Sequence, residues 1–295
     1  MTEKAAIDHG ELRPFLEAIF HRYHHDFRSY SLASIERRLA AARDSLGYRT
    51  LSAMQEAILH DPRAFSAILQ FLSVQVSDLF RDPSFYRVLR EEIVPVLHTY
   101  PSLKIWIAGC GRGEEVYSFA ILLREEGLLD RALIYATDFN PEALRRAEAG
   151  IYTQDRVPAF TENHRLAGGK GSLSSHYTAR YGAVVFDRTL RKQVVFSDHS
   201  LATDSVFAEV HVVSCRNVLI YFDHALQARA IALMKGSLVR RGFLGMGAKE
   251  SLMEGSQRAA GFREVVPGET WYQRCSPAPA KIAGPGLPRA PGGHP

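Results

Sequence analysis

The chain has few cysteines and no long apolar run. Its three cysteines, Cys110, Cys215 and Cys275, are too few and too widely spaced for a disulfide framework or a zinc site. No apolar run approaches the roughly 20 residues that a membrane-spanning helix requires. The N-terminus, Met-Thr-Glu-Lys-Ala-Ala-Ile-Asp-His, lacks the basic start and the apolar core of a signal peptide. We therefore expect a cytoplasmic protein without a metal cofactor.

A strong excess of one charge is also missing. Among 295 residues, 36 lysines and arginines stand against 32 aspartates and glutamates, which gives a formal net charge of +4. A net positive charge this small is compatible with binding to an acidic partner surface but does not require it. Hydrophobic residues make up 46% of the chain, as in ordinary globular proteins, and its length allows one large domain and a smaller one.

The spacing of apolar residues divides the chain into two parts. Helical spacing up to Leu97 predicts an all-helical N-terminal domain and linker over residues 1–97. From Leu103 onward, short apolar runs alternate with helical segments, which is typical of a doubly wound parallel sheet and predicts a second domain over residues 98–275. The turn signal Pro267-Gly268 predicts that an antiparallel hairpin closes this sheet.

An insertion interrupts the second domain, and the chain ends in a tail of unusual amino-acid composition. We expect a small β insertion at about residues 151–195, in which residues 177–187 and 190–196 form a hairpin. Residues 276–295 are rich in proline, glycine and alanine and are predicted to be disordered.

The strand predicted at Leu103–Ala108 runs into Gly109-Cys-Gly-Arg-Gly113 and then into Glu114 and Glu115. A glycine-rich turn after a parallel strand lets the backbone approach a nucleotide-like ligand, and the following helix start usually faces a phosphate. The two glutamates would repel a phosphate, whereas they suit the cationic end of S-adenosylmethionine. The glycine pattern alone is weak evidence, since a tight turn in any α/β protein would explain it.

Polar residues follow two further strands at the same predicted sheet edge. Asp138 is placed to accept hydrogen bonds from both hydroxyls of a ribose. It could instead cap the next helix, although Asn140 is better placed for that role. Arg216 and Tyr221 follow a later strand. We expect both at the ligand-binding edge of the sheet. Alternatively, Arg216 pairs with a carboxylate at the sheet end and Tyr221 packs in the core.

A polar and aromatic segment also precedes the sheet. Phe80 could cover an adenine or close the site, and Arg81 could hold a carboxylate through two parallel hydrogen bonds. Arg81 could equally form an ion pair that links two domains.

Four motifs together resemble the CheR family of chemotaxis receptor methyltransferases. They are C-x-x-G-E-E-x-Y-S at residues 110–118, A-T-D at 136–138, A-x-x-G-I-Y at 147–152 and C-R-N-V-L-I-Y-F at 215–222. The resemblance implies a Rossmann-like methyltransferase sheet with a small β insertion and an all-helical N-terminal domain. It also implies an enzyme that transfers a methyl group from S-adenosylmethionine to receptor glutamates, leaving S-adenosylhomocysteine and a glutamate methyl ester.

The resemblance also implies roles for individual residues. The residues implied to bind the cofactor are Gln75, Ser77, Arg81, Gly109, Glu115, Asp138, Ser200, Leu201, Arg216 and Asn217. Arg81 and Tyr221 would lie nearest the transferring methyl group, so both are predicted to be catalytic. Arg37, Arg38 and Arg43 would dock the acidic helical bundle of a methyl-accepting receptor, the alternative being a solvated helix face. We expect a monomer that binds neither nucleic acid nor a membrane.

The sequence departs from the family pattern at several positions. Ser77 replaces a usual Thr, Ser200 replaces an Asn, and Gly111-Arg112 replaces a Ser-Thr pair. These changes motivate one alternative, a non-catalytic relative that binds the cofactor or a receptor. A small-molecule methyltransferase is a second alternative. The loop that precedes the hairpin of the β insertion predicts no strong binding of a receptor tail peptide.

Overall fold

The structure is a computed structural model that describes residue 7 and residues 9–75, 77–252 and 261–275. The tail predicted to be disordered, residues 276–295, lies outside the described residues. Within the described part, no helix is long and apolar enough to cross a membrane.

Four helices make up the N-terminal part of the described chain. They are α1 (His9–Tyr23), α2 (Leu32–Leu46), α3 (Leu51–His60) and α4 (Pro62–Leu72). Their ends follow local chemistry, because the Thr50 hydroxyl accepts a hydrogen bond from Ala53 N and Gly47 ends α2 in the left-handed conformation. The apolar faces of the four helices meet in a core of their own, around Phe15, Ile35 and Ile58.

The next helical segment packs with the sheet instead. It comprises α5 (Pro83–Val88), a π-helical stretch (Leu89–Ile93) and α6 (Val94–Leu97). Phe85, Tyr86 and Ile93 are buried in the same apolar core as the strands. The two cores therefore divide between Leu72 and Leu79, closer to residue 75 than to the predicted boundary at residue 97.

Two sheets follow in the described residues. The strands are β1 (Leu103–Ala108), β2 (Ala132–Asp138), β3 (Ile151–Thr153), β4 (Tyr177–Arg180), β5 (Ala183–Phe186), β6 (Val194–Asp198), β7 (Val210–Cys215), β8 (Leu238–Met246), β9 (Phe262–Glu264) and β10 (Trp271–Arg274). The main sheet has the order β6-β2-β1-β7-β8-β10-β9, with five parallel strands and the antiparallel pair β9 and β10 at one edge. This confirms the predicted doubly wound sheet and its closing hairpin.

The helices that accompany these strands are α7 (Glu114–Glu125), α8 (Pro141–Ala149), α9 (Val157–Leu166) and α10 (His224–Ser237). Strand β1 pairs in parallel with both β2 and β7, so the carboxyl ends of these three strands lie at one edge of the sheet.

The second sheet is small and antiparallel, with the order β3-β5-β4. The predicted hairpin between residues 177–187 and 190–196 is wrong. Tyr181 and Gly182 both have positive φ, so the chain folds back between them and pairs β4 with β5. Residues from Val194 onward pair with β2 in the main sheet instead.

Candidate functional site

A cavity of about 430 Å³ lies at the carboxyl edge of the main sheet. All ten predicted cofactor-binding residues line it, and so does the predicted catalytic Tyr221. Tyr30 and Arg38 reach the cavity from the N-terminal helical part, so the cavity lies between that part and the sheet. The structure thus brings the predicted residues together, while their individual roles stay predictions.

The glycine turn forms one wall of the cavity. Gly109 has φ of +74°, and a Cβ there would lie 2.6 Å from Val218 Cγ2, so no larger residue fits without movement. The Gly111 N–H donates to Asp138 Oδ2 at 2.9 Å, which ties the turn to the end of β2. A Cβ at Gly111 would meet nothing within 4 Å, so this face of the turn stays open.

The two adjacent glutamates have different environments. Glu115 lines the cavity and accepts hydrogen bonds from Ser214 Oγ at 2.5 Å and from Arg216 Nη1 at 3.3 Å. Glu114 is buried away from the cavity and pairs with Arg156 Nη1 at 2.7 Å. Burial raises the pKa of Glu114, and the bond from Arg156 opposes that rise. Only Glu115 is therefore positioned to meet a cationic ligand.

Asp138 is a buried carboxylate at the end of β2. Its pKa is raised to about 6, chiefly by burial and further by the nearby Asp198 charge, while hydrogen bonds from the N–H groups of Asn140 and Gly111 oppose the rise. Asn140 caps α8 through a bond from Glu142 N at 2.9 Å, so the capping alternative for Asp138 is wrong. Each Asp138 oxygen accepts one backbone N–H and retains a lone pair for a ligand hydroxyl.

Arg216 links several parts of the cavity wall. Its guanidinium donates to Asp82 Oδ2 at 2.9 Å, to Tyr86 Oη at 3.2 Å, to Glu115, and to the carbonyl of Arg81 at 2.6 Å. Arg216 thus pairs with carboxylates, as the alternative expected, and it also lines the cavity, so its predicted contact with the cofactor stays a prediction.

Tyr221 is half-buried at the cavity instead of being enclosed in the core. The Arg38 guanidinium lies 4.1 Å from the centre of its ring, a cation–π contact that orients the ring.

Arg81 lies on the segment of residues 77–82, which we call the Arg81 loop. Its side chain is 38% exposed, and among the described residues it pairs with the carboxylate of the adjacent Asp82 at 4.0 Å and with none in another domain. Phe80 and Asp82 flank it with φ of +50° and +56°. Each such residue costs about 1–3 kcal/mol of backbone strain, which persists only where the surroundings hold the loop. Phe80 is buried against Tyr86 and does not line the cavity, so its predicted adenine contact is wrong.

The three arginines predicted to dock the receptor do not share one surface. Arg37 is exposed, whereas Arg38 and Arg43 are each only 7% exposed. Arg38 donates to the carbonyl of Leu72 at 2.5 Å, lines the cavity, and has its pKa lowered by burial. Arg43 pairs with Asp44 at 3.0 Å. The predicted docking face is therefore corrected: of the three, only Arg37 offers an exposed charge, because helical periodicity turns Arg38 inward.

Two further residues at or behind the cavity were not predicted from the sequence, Glu250 and His199. The buried Glu250 carboxylate accepts from Asn217 N at 2.7 Å and from Gly247 N at 2.9 Å, and so holds Asn217 at φ of +59°. His199 directly precedes Ser200, and its buried Nδ1 has no hydrogen-bond partner among the residues that the structure describes. The adjacency of His199 to a predicted residue was a usable signal, but nothing in the sequence pointed to Glu250.

Comparison with known proteins decides the family. The family model described as CheR methyltransferase, SAM binding domain, matches residues 75–265, and the one described as CheR methyltransferase, all-alpha domain, matches residues 10–73. The chain belongs to the CheR methyltransferase family. It therefore carries an S-adenosylmethionine-binding domain and is a member of a family of methyltransferases that use this cofactor.

Named CheR relatives agree with this assignment. A protein named putative methyltransferase Cher3 from Pseudomonas putida is 55% identical over 82% of this chain and 89% of its own length. The chemotaxis protein methyltransferase of Listeria innocua is 27% identical over 77% of this chain and 85% of its own. Chemotaxis protein methyltransferase 2 of Pseudomonas aeruginosa is 29% identical over 84% and 94%.

The cavity fits the cofactor of the CheR family. S-adenosylmethionine combines an adenosine with a cationic amino-acid chain, so it calls for carboxylates, hydroxyl acceptors and an apolar surface. Glu115 supplies a carboxylate beside the open glycine turn, and Asp138 retains acceptor capacity for hydroxyls. Leu201 and Phe139 line the cavity and add apolar surface.

Proposed function

We propose that this CheR-family protein methylates glutamate side chains of chemotaxis receptors and forms glutamate methyl esters. The observation that supports this most strongly is Arg81, a half-exposed guanidinium that lines the same cavity as Glu115, Asp138 and Tyr221. A cation at the cavity suits a substrate that enters as a carboxylate. The names of the Listeria and Pseudomonas aeruginosa relatives, chemotaxis protein methyltransferases, support the same class of substrate.

The cofactor would be held by residues from three parts of the cavity. Glu115 would accept from the methionine ammonium group, and Asp138 from the ribose hydroxyls. Ser200 and Leu201 would lie beside the adenine. The remaining contacts would come from Gln75, Ser77, Gly109, Arg216 and Asn217. When bound, S-adenosylmethionine supplies a sulfonium methyl group that a carboxylate oxygen can attack.

Little further chemistry is required of the protein. A glutamate carboxylate has an ordinary pKa near 4.3 and is ionised at neutral pH, so no general base is needed. The protein must align the reactants and exclude water. In this proposal Arg81 binds the acceptor carboxylate in two-point contact, and Tyr221, oriented by Arg38, fixes the acceptor oxygen.

The acceptor would approach from the cytoplasmic helical bundle of a receptor. Arg37 on α2 and Arg112 at the rim of the cavity are exposed cations, and Arg112 forms no salt bridge among the described residues. These two charges would attract an acidic helix surface. We infer no strong attachment of a receptor tail peptide to the small sheet, and calorimetry with such a peptide tests this: micromolar binding would contradict it.

The proposal is tested by methyl transfer from labelled S-adenosylmethionine to receptor-containing membranes. A glutamate ester is labile to alkali, so the expected product is base-labile label on the receptor. Label that resists alkali would indicate another acceptor group. Activity on small acids in the absence of a receptor would favour a small-molecule methyltransferase.

A further inference from the structure

The Arg81 loop is held in place at nearly every residue. The Phe80 N–H donates to Ser118 Oγ at 2.8 Å, and the Arg81 carbonyl accepts from Arg216. The Leu79 carbonyl accepts from Asn163 Nδ2 at 3.0 Å. Since Phe80 and Asp82 both have left-handed backbones, the loop depends on these outside contacts for its shape.

One residue outside the cavity holds the first half of the loop. Arg156 Nη2 donates to the carbonyl of Ser77 and to Asp78 Oδ1, the latter at 2.8 Å. The same guanidinium donates through Nη1 to Glu114 Oε1 at 2.7 Å, at the start of α7. Arg156 therefore joins the Arg81 loop to the helix that carries Glu115.

The environment of Arg156 makes this link rigid. Its guanidinium lies 4.7 Å from the ring centre of the buried Phe160, and its side chain is 24% exposed. Glu114 is 1% exposed, so its carboxylate depends on Arg156 for a charge partner. Arg156 comes between β3 of the small sheet and α9, so the inserted segment supplies the link.

We propose that Arg156 is a positioning residue for methyl transfer. By binding Ser77, Asp78 and Glu114 at once, it fixes the Arg81 loop against α7 and sets where the Arg81 guanidinium meets the acceptor. Arg156 does not line the cavity and touches no reactant there. The effect on turnover rests on the proposed function, whereas the effect on the loop does not.

The test compares Arg156→Gln and Arg156→Lys with the control Arg165→Gln. Arg165 lies on the same segment, is 68% exposed, and within the described part of the chain its side chain pairs with Glu162 alone, one helical turn away. Hydrogen exchange of a peptide that spans residues 77–82 reports on the loop. We expect exchange to speed up about tenfold or more in Arg156→Gln, to change less in Arg156→Lys, and to stay unchanged in the control.

Measurements of turnover and of cofactor affinity then distinguish a loss of positioning from a general loss of structure in the cavity. In Arg156→Gln, methyl transfer should fall about tenfold or more, since small misplacements of a reacting group are costly. The affinity for S-adenosylhomocysteine should fall by a clearly smaller factor, and Arg156→Lys should recover part of the turnover. Unchanged loop exchange, or equal losses of turnover and affinity, would overturn the proposal.

The single variant Arg156→Gln could fail to fold, because it leaves the buried Glu114 carboxylate without a charge partner. A second variant keeps the test usable in that event. The double variant Arg156→Gln with Glu114→Gln removes that charge and still lacks the bonds to Ser77 and Asp78. It should show the same fast loop exchange, and protection equal to wild type would refute the proposal. If the wild-type protein does not methylate receptors, the proposed function fails, and loop exchange alone decides whether Arg156 holds the loop.

Discussion

Asp138 gives cofactor binding a pH dependence that can be worked out from its surroundings. Its pKa is raised from 3.8 to about 6, chiefly by burial and in part by the nearby Asp198 charge. The proposed contact with the ribose hydroxyls needs the ionised carboxylate, because both of its oxygens already accept a backbone N–H. Affinity for the cofactor should therefore increase as pH rises through about 6.

The size of the effect follows from the ionised fraction of Asp138. With a pKa of about 6, this fraction is about 0.9 at pH 7 and about 0.1 at pH 5. The affinity for S-adenosylhomocysteine should therefore fall about tenfold between these pH values, which corresponds to about 1.4 kcal/mol. Calorimetric titrations from pH 5 to pH 7.5 measure this directly.

Two variants test the assignment to this residue. Asp198→Asn removes a like charge, so it should lower the pKa of Asp138 and move the loss of affinity to lower pH. Asp138→Asn should bind weakly at every pH. An affinity that stays constant from pH 5 to pH 7.5, or an Asp138→Asn variant that binds as wild type does, would refute the reasoning.

Three other substitutions test residues at or next to the cavity. Arg81→Ala should lower methyl transfer much more than affinity for S-adenosylhomocysteine, and equal losses in the two assays would contradict its placement at the acceptor. Gly109→Ala should destabilise the protein by about 1–3 kcal/mol in denaturant unfolding, because its Cβ would lie 2.6 Å from Val218 and φ is positive. Asn140→Ala should lower the free energy of unfolding by about 1 kcal/mol or more, because α8 loses its N-cap and Ser73 Oγ loses a 2.7 Å hydrogen bond. Unchanged stability would contradict both contributions.

The sequence was informative wherever a residue directly follows a strand. Gly109 and Arg216 directly follow β1 and β7, Asp138 is the last residue of β2, and the carboxyl ends of parallel strands meet at one edge. Their joint position in one cavity could therefore be predicted from strand order alone. The resemblance to the CheR family implied the rest, including Gln75 and Ser77 from outside the sheet.

Side-chain direction and long-range pairing could not be predicted in the same way. Glu114 and Glu115 are adjacent, yet one pairs with Arg156 and the other lines the cavity. Helical periodicity places Arg38 on the inward face of α2, but its contact with the Tyr221 ring joins two distant segments and has no local signal in the sequence. The partner of Glu114 lies 42 positions away in the sequence, and no local pattern encodes such a contact.

The most direct test of the account is a methylation assay with the receptors of the same organism. Receptor-containing membranes, labelled S-adenosylmethionine and the purified protein are incubated, and label on the receptor is measured before and after alkali treatment. The account predicts base-labile label that appears with the wild-type protein and is strongly reduced with Arg81→Ala. Binding of S-adenosylhomocysteine without any transfer of label to a receptor would contradict it.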